Sequence, residues 1–208
     1  MRILAFSDLH DDEYALQALS VFSKDFDHVL ICGDSASTNV FAKAVLNAFP
    51  KAFIIPGNGE NERLNDLILS RPGCTHEKRV EIADGLNIVG FGYSNPTPFG
   101  TYGELSEDEI YSRLSKLPIN SNTLLMLHCP PKGHFDDVGK GFHAGSSSIL
   151  KIIEEKKPLA AFFGHVHDHS GVGHIGPTTL VKLPAAGTLR ACSAKITNKN
   201  INAAIISL

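Results

Sequence analysis

The sequence predicts an α+β fold with two packed β-sheets, and three observations carry that reading. Over residues 3–69, short strands that are apolar throughout alternate with stretches of helical periodicity, as expected of strands covered on both faces. From residue 80 onward hairpins enter, marked by the turn residues Asp84-Gly85, Gly176-Pro177 and Asn198-Lys199-Asn200. Of the 208 residues, 43% are hydrophobic and only 20% charged, so the chain can bury a sizeable core and is expected to form a single domain, residues 1–208.

Taken in order, Ile3 to Phe6 reads as a buried strand and Glu13 to Phe22 as a helix, because Ala15, Leu16, Leu19 and Phe22 recur at helical spacing. The unit repeats as strand Val29 to Cys32 with helix Val40 to Phe49, then as strand Ala52 to Ile55 with helix Glu62 to Leu69. Beyond Arg71-Pro72-Gly73, strands Val80 to Ala83 and Leu86 to Gly90 make the first hairpin. A Gly- and Pro-rich stretch, Phe91 to Gly103, leads into a helix near Ser106 to Leu114, where Ser106 and Glu109 form a capping box. Strand Thr123 to Leu127 follows. The segment His128 to Ala144 has no periodicity and carries Pro130 and Pro131, so it is a long surface loop of the kind that often carries function. Helix Ser146 to Lys156, strand Leu159 to Phe163, hairpin Gly171 to Leu183, and a last hairpin of Thr188 to Thr197 with Ile201 to Ser207 complete the chain.

A net charge of -3 supplies no basic field to hold a nucleic-acid backbone, so no nucleic-acid partner is expected. The longest apolar runs, such as Leu159 to Phe163, are far shorter than the ~20 residues of a membrane span. The apolar N-terminus is stopped at once by Ser7-Asp8, too early for a secretory signal. Cys32, Cys74, Cys129 and Cys192 form no CxxC pair, which reads as reduced thiols in a cytoplasmic protein.

The chemistry lies at strand ends. Strand one runs into Asp8-Leu9-His10, strand two into Gly33-Asp34, strand three into Gly57-Asn58, and later strands into His128 and Gly164-His165-Val166-His167. Residues at the carboxyl ends of strands share one rim, where open α/β sheets bind their ligands. In extended backbone, residues two apart point the same way, so Asp8 with His10, and His165 with His167, are each expected to present two groups to one place. Gly33, Gly57 and Gly164 are expected to let the backbone turn sharply beside a metal. Oxygen donors mixed with imidazoles suit two divalent ions such as Mn, Fe, Zn, Ni or Co, in preference to calcium or a thiolate site. Two such ions ~3.5–4 Å apart would clamp a phosphoryl group and activate a water for in-line attack.

This ordered set, Asp8-Leu9-His10, Gly33-Asp34, Gly57-Asn58, His128 and Gly164-His165-Val166-His167, resembles the calcineurin-like metallophosphoesterase superfamily from Met1 to about Gly187. The resemblance implies a four-layer α/β/β/α sandwich with two packed mixed sheets. It implies that Asp8, His10, Asp34 and His167 hold a first ion, and that Asp34, as the bridge, with Asn58, His128 and His165 holds a second. Asp34, Asn58 and His128 thereby also become candidate catalytic residues. The implied activity is that of a metal-dependent phosphoesterase acting on a small phosphoester, with a metal-bridging water as nucleophile. The stretch Gly145-Ser146-Ser147-Ser148-Ile149-Leu150, followed by Pro158 and the Gly164 to His167 motif, further resembles a small phosphodiesterase branch without a capping domain.

Three departures from the superfamily pattern matter. Most relatives place a histidine, the usual proton donor to the leaving group, where this chain has Gly59, followed by Glu60. The arginine that often follows the second aspartate in protein phosphatases is replaced by Ser35, which argues against a phosphoprotein phosphatase. Asp11-Asp12 stands where Gly-Asn is common, and Asp12 reads as a helix cap. His143, in the long loop, is the candidate for substrate contact or proton donation, and His134 shares that loop. His76 is expected in a polar turn, His169 and His174 at the surface, and Cys129 in packing.

Diester hydrolysis fits these departures best. The alternative is a metal-binding scaffold or regulatory subunit of the same fold, as the retromer subunit is, although that subunit has lost part of the ligand set this chain keeps. A nuclease fits neither the charge nor the length. The sequence leaves a homo-oligomer open.

Overall fold

Strands that are apolar on both faces need two coverings, and the chain supplies one from helices and one from a second sheet. The computed structural model describes residues 1–208, the side chain of Asp84 excepted. In the first sheet β1 (Arg2–Phe6), β2 (His28–Cys32) and β3 (Phe53–Ile55) run parallel, and β10 (Arg190–Thr197) and β11 (Asn200–Ser207) add antiparallel strands beyond β1. The second sheet has the order β4 (Arg79–Glu81), β5 (Asn87–Phe91), β6 (Thr123–Leu127), β7 (Ala160–Phe163), β9 (Thr178–Lys182), β8 (Gly171–Ile175). Its central strands are parallel and its two edges antiparallel.

Alternation along each strand sorts side chains into layers. Leu4, Phe6 and Ile31 pack against α1 (Glu13–Phe22), α2 (Asn39–Ala48) and α3 (Glu62–Leu69), through Leu19, Val45 and Leu64. Ile3, Ala5, Leu30 and Ile55 instead meet Leu124, Met126 and Phe162 of the second sheet. The far face of that sheet, with Val89, Leu125 and Phe163, is covered by α4 (Glu107–Leu114) and α5 (Ser147–Lys156), through Ile110 and Ile152. The result is the four-layer α/β/β/α sandwich.

Helix starts follow their caps. Asp12 Oδ1 accepts the Ala15 amide at 2.9 Å, Ser146 caps α5, and Ser106 with Glu109 closes the capping box on α4. The first hairpin differs from the two-residue turn expected, because Ala83–Gly85 forms a 3-10 turn. Cys32, Cys74, Cys129 and Cys192 are buried and free. No described helix is long and apolar enough to cross a membrane.

Candidate metal centre

The loops leaving β1, β2 and β3 meet those leaving β6 and β7, so the rim straddles the carboxyl ends of both sheets. One expectation about its construction fails. Asp8, His10, Asp34 and His165 have φ of 55°, 45°, 48° and 72°, so their side chains converge through left-handed turns, with no help from strand alternation. That region costs a non-glycine residue ~1–2 kcal/mol and marks backbone held in place by its surroundings. Of the three glycines, only Gly33, with φ 88°, makes the sharp turn. Gly57 and Gly164 serve close approach, since a Cβ there would overlap Asp34, or Ser7 and Asp8.

Each carboxylate has one oxygen held by protein donors and one facing histidines. Asp8 Oδ2 accepts the Ser7 hydroxyl at 2.5 Å and the His165 amide at 3.0 Å. Asp8 Oδ1 is buried without a hydrogen-bond partner, 3.4 Å from His167 Nε2 and 3.9 Å from His10 Nε2. Asp34 Oδ1 accepts the Gly59 amide at 2.8 Å, while Oδ2 lies 3.6 Å from His128 Nε2 and 4.0 Å from His10 Nε2. His128 Nδ1 donates to the Cys32 carbonyl at 2.9 Å, so in the neutral ring Nε2 is the bare nitrogen, 2.8 Å from Asn58 Oδ1. The Asn58 amide is fixed in that sense because its nitrogen donates to Thr101 Oγ1 at 2.8 Å, and the Thr101 hydroxyl donates in turn to Glu104 at 2.6 Å.

Acceptors thus converge on one another. His10 Nε2 and His167 Nε2 are also only 3.4 Å apart. Such an arrangement is unfavourable unless positive charge lies among these atoms, as protons on the histidines or as a bound cation, and the orphaned Asp8 oxygen is the atom such a charge would satisfy. The donor set, carboxylate and amide oxygens with imidazole nitrogens, fits a borderline divalent metal. Two groups of donor atoms lie within 4.8 Å of one another, Asp8 with His10 and His167, and Asp8 with Asp34 and His128. His165 belongs to neither and packs edge-on to His128, ring centroids 5.0 Å apart.

Carboxylates and imidazoles at the rim shift one another's proton affinities. Burial would raise the Asp8 carboxyl, but His167, His128 and Lys182 hold it well below the usual range. Lys182, buried behind the rim, is itself pushed down to about 8 by desolvation. Burial disfavours charge on His128, yet the Asp34 and Asp8 carboxylates draw its affinity for a proton upward. Asp8 does the same for His167, whereas burial and the neighbouring His128 push His165 down to about 4.

Two residues escaped sequence reasoning. Glu60 is buried and accepts the amides of Gly57 (2.7 Å), Ser35 (2.7 Å) and Asp34 (3.2 Å), tying the β2 and β3 loops together. Burial and the nearby Asp34 push its carboxyl up to about 7. Its only signal was an acid directly after the substituted glycine. The other is Asp136, whose Oδ1 lies 2.8 Å from His143 Nδ1.

His143, together with His165 and His167, lines a cleft of about 790 Å³ whose walls include Pro98, Phe99 and Phe142. His134 is half-buried and does not line that cleft. His76 is not in a polar turn: it is buried, its Nδ1 accepts the Gly92 amide at 2.9 Å, and burial pushes it down to about 4. His169 is half-buried, donating Nε2–H to the Asp137 carbonyl at 2.9 Å, whereas His174 is exposed as expected. Cys129 is fully buried and its thiol is pushed up to about 12 by desolvation, which suits packing and not nucleophilic attack.

Fold and rim together are those of a metallophosphoesterase, and the chain belongs to the calcineurin-like phosphoesterase family, whose model matches residues 1–169. It is 32% identical over 192 residues to an uncharacterized protein of Methanocaldococcus jannaschii, with 87% of each chain covered. Its fold is similar to that of a dimetal phosphatase from Danio rerio, with a TM-score of 0.66, 10% identity and 98% of each chain covered. It is also similar to an archaeal phosphodiesterase, with a TM-score of 0.57, 15% identity, and 99% of this chain and 100% of that one covered.

Proposed function

We propose that the protein hydrolyses small phosphodiesters with two divalent ions held at the rim. One observation carries the reading: Asp8 Oδ1 is buried without a partner among the histidine Nε2 atoms, a polarity that a bound cation would balance. Asp8, His10, Asp34 and His167 would hold one ion, and Asp34, Asn58, His128 and His165 the other, with Mn, Fe, Zn, Ni or Co suited to the donors. When bound, the ions would supply Lewis-acid stabilisation of the phosphoryl oxygens and a water nucleophile at neutral pH. The chain's own part is to orient these groups: the Cys32 carbonyl fixes the His128 tautomer, Thr101 fixes Asn58, and Glu60 fixes the loops that carry Asp34 and Asn58.

Diesters are preferred over monoesters in this reading. A monoester brings a second negative charge, and neither Lys nor Arg lines the cleft among the described residues, while Asp168 does. The archaeal phosphodiesterase and the dimetal phosphatase that share the fold support phosphoester chemistry at this rim. The test compares bis-aryl with mono-aryl phosphate hydrolysis after metal stripping and readdition of Mn, Ni, Zn or Mg. Activity that returns with metal and favours the diester is the expected result; metal-independent activity, or a clear monoester preference, would refute it.

A further inference from the structure

The loop between β6 and α5 is built around one buried carboxylate. Asp136 Oδ2 accepts the Gly133 amide at 2.9 Å and the Gly145 amide at 3.1 Å, while Oδ1 faces His143 Nδ1 at 2.8 Å. The Asp136 side chain is 1% exposed and that of His143 44%. Gly145 is required by this approach, since a Cβ there would lie 2.8 Å from Asp136 Oδ2. Burial would raise the Asp136 carboxyl, but the Gly133 amide, His143 and the Gly145 amide more than offset it and keep it below the usual range.

The rest of the loop is fixed as firmly. Ala144 N–H donates to the Asp136 carbonyl, Asp137 and His143 form a β-bridge, and the Ser146 amide and carbonyl pair with Pro130 and Lys132 at the loop's base. His169, just past the motif that holds His165 and His167, bonds the Asp137 carbonyl. Both ends of the arrangement are therefore referenced to the rim. With Nδ1–H given to Asp136, Nε2 is the ring nitrogen that His143 has left for the cleft it lines with His165 and His167. Those two histidines are candidate ligands, Gly59 has no side chain, and the one other ionisable group lining the cleft among the described residues is the Asp168 carboxyl, so His143 is the imidazole free to deliver a proton there.

We infer that His143, oriented by Asp136, is the general acid that protonates the departing alcohol, whose apolar body lies against Phe99 and Phe142. The inference rests on the phosphodiesterase reading above and names its leaving-group machinery. As a water oxygen bonds to phosphorus and gives up a proton to solvent, the P–O bond to the departing group breaks and its electron pair stays on that oxygen. The proton on His143 Nε2 passes to the same oxygen. His143 is left neutral, with Nδ1–H still on Asp136, and takes a proton from solvent before the next turnover. In this scheme His143 is a catalytic residue and Asp136 a positioning residue, the buried carboxylate holding tautomer and ring orientation.

The test uses the manganese-loaded full chain and two substrates, bis-p-nitrophenyl phosphate, whose phenolate departs unaided, and dibenzyl phosphate, whose alkoxide does not. His143→Ala is expected to lower kcat on dibenzyl phosphate by ~10²–10³-fold and on the nitrophenyl ester by less than ~5-fold. Asp136→Asn is expected to show the same selectivity with a smaller loss, and added imidazole to restore His143→Ala on dibenzyl phosphate alone. If Asp136→Asn melts early because two amides lose their acceptor, His143→Gln, which keeps a donor to Asp136 but carries no transferable proton, replaces it and should match His143→Ala. Equal losses on both substrates, or no imidazole rescue, overturn the inference while leaving the phosphodiesterase reading in place. A parent protein that cleaves neither ester with any metal overturns both.

Discussion

The Gly59 amide donates to Asp34 Oδ1 at 2.8 Å, and a Cβ added at residue 59 would lie 3.1 Å from that oxygen and 3.2 Å from Oδ2. A side chain at 59 thus starts directly over the carboxylate expected to bridge the two ions. Gly59 is not in the left-handed region, so the obstacle to substitution is this contact, which requires Asp34 to give by a few tenths of an ångström. If His143 donates the proton as inferred above, Gly59→His alone is expected to change dibenzyl phosphate turnover little. In the His143→Ala background it should raise that turnover by at least ~10-fold. Gly59→Ala is the steric control, and a double variant no faster than Gly59→Ala with His143→Ala would mean that position 59 does not overlook the leaving group.

Asp34 Oδ2 faces both His10 and His128, so under the proposed two-ion arrangement Asp34→Asn would weaken attraction for both ions at once. Bound metal after dialysis is expected to fall, and activity to drop by at least ~10²-fold, at the upper end of what loss of an outer-shell partner costs. Elemental analysis and a manganese-dependent thermal shift check this. An Asp34→Asn protein with full metal content and full turnover would contradict the ligand assignment.

Glu60→Ala leaves the amides of Gly57, Ser35 and Asp34 without their acceptor. Each orphaned buried donor costs ~1–3 kcal/mol, so a loss of about 3 kcal/mol or more is expected in denaturant unfolding. Metal affinity should also fall ~10–100-fold, as for other residues that orient ligands. A variant as stable as the parent would show that water replaces the carboxylate at no cost.

Glu107, on the first turn of α4, accepts the amides of Ser147 at 3.1 Å and Ser148 at 2.8 Å and the Ser146 hydroxyl at 2.8 Å, capping α5 from a neighbouring helix. Burial raises its carboxyl, but these bonds outweigh it and hold the group below its usual 4.5. Because the folded-state value is the lower one, the contribution is present above pH 4.5 and is lost as pH falls through the folded-state value. Glu107→Gln should therefore cost about 1–2 kcal/mol at pH 7, and the gap to the parent should close in acid. Denaturant titrations at neutral and acid pH measure it; a gap that stays constant would mean that the charge plays no part.

The strands were legible because burial on both faces leaves few residue types for Ile3, Leu4, Ala5 and Phe6, or for Leu124 to Leu127. Their sheet was not, since a strand apolar on both faces reads the same in either sheet, and β6 and β7 lie in the second while β1, β2 and β3 lie in the first. The candidate ligands were legible from their places after those strands. The way they converge was not, because left-handed backbone at Asp8, His10, Asp34 and His165 follows from the crowding of loops and not from those residue types. Asp136 was hidden in a loop without periodicity, and the buried ring of His76 was disguised by polar neighbours, Thr75, Glu77 and Lys78.

Asp8, His10, Asp34 and Asn58 ride on one sheet, and His128, His165 and His167 on the other. What holds the two halves in register is the seam where Ile3, Leu30 and Ile55 interlock with Leu124, Met126 and Phe162. The seam works as a spacer whose thickness sets the gap between the two ligand sets, and a protein interior transmits strain instead of absorbing it. Adding a methylene to Ala5 or Ala160, both fully buried in that seam, would widen the gap at the rim. Such a variant would lose ~1–3 kcal/mol to overpacking and also drift out of alignment for the proposed chemistry, so residues that never approach a substrate would set the tolerance within which such a centre operates.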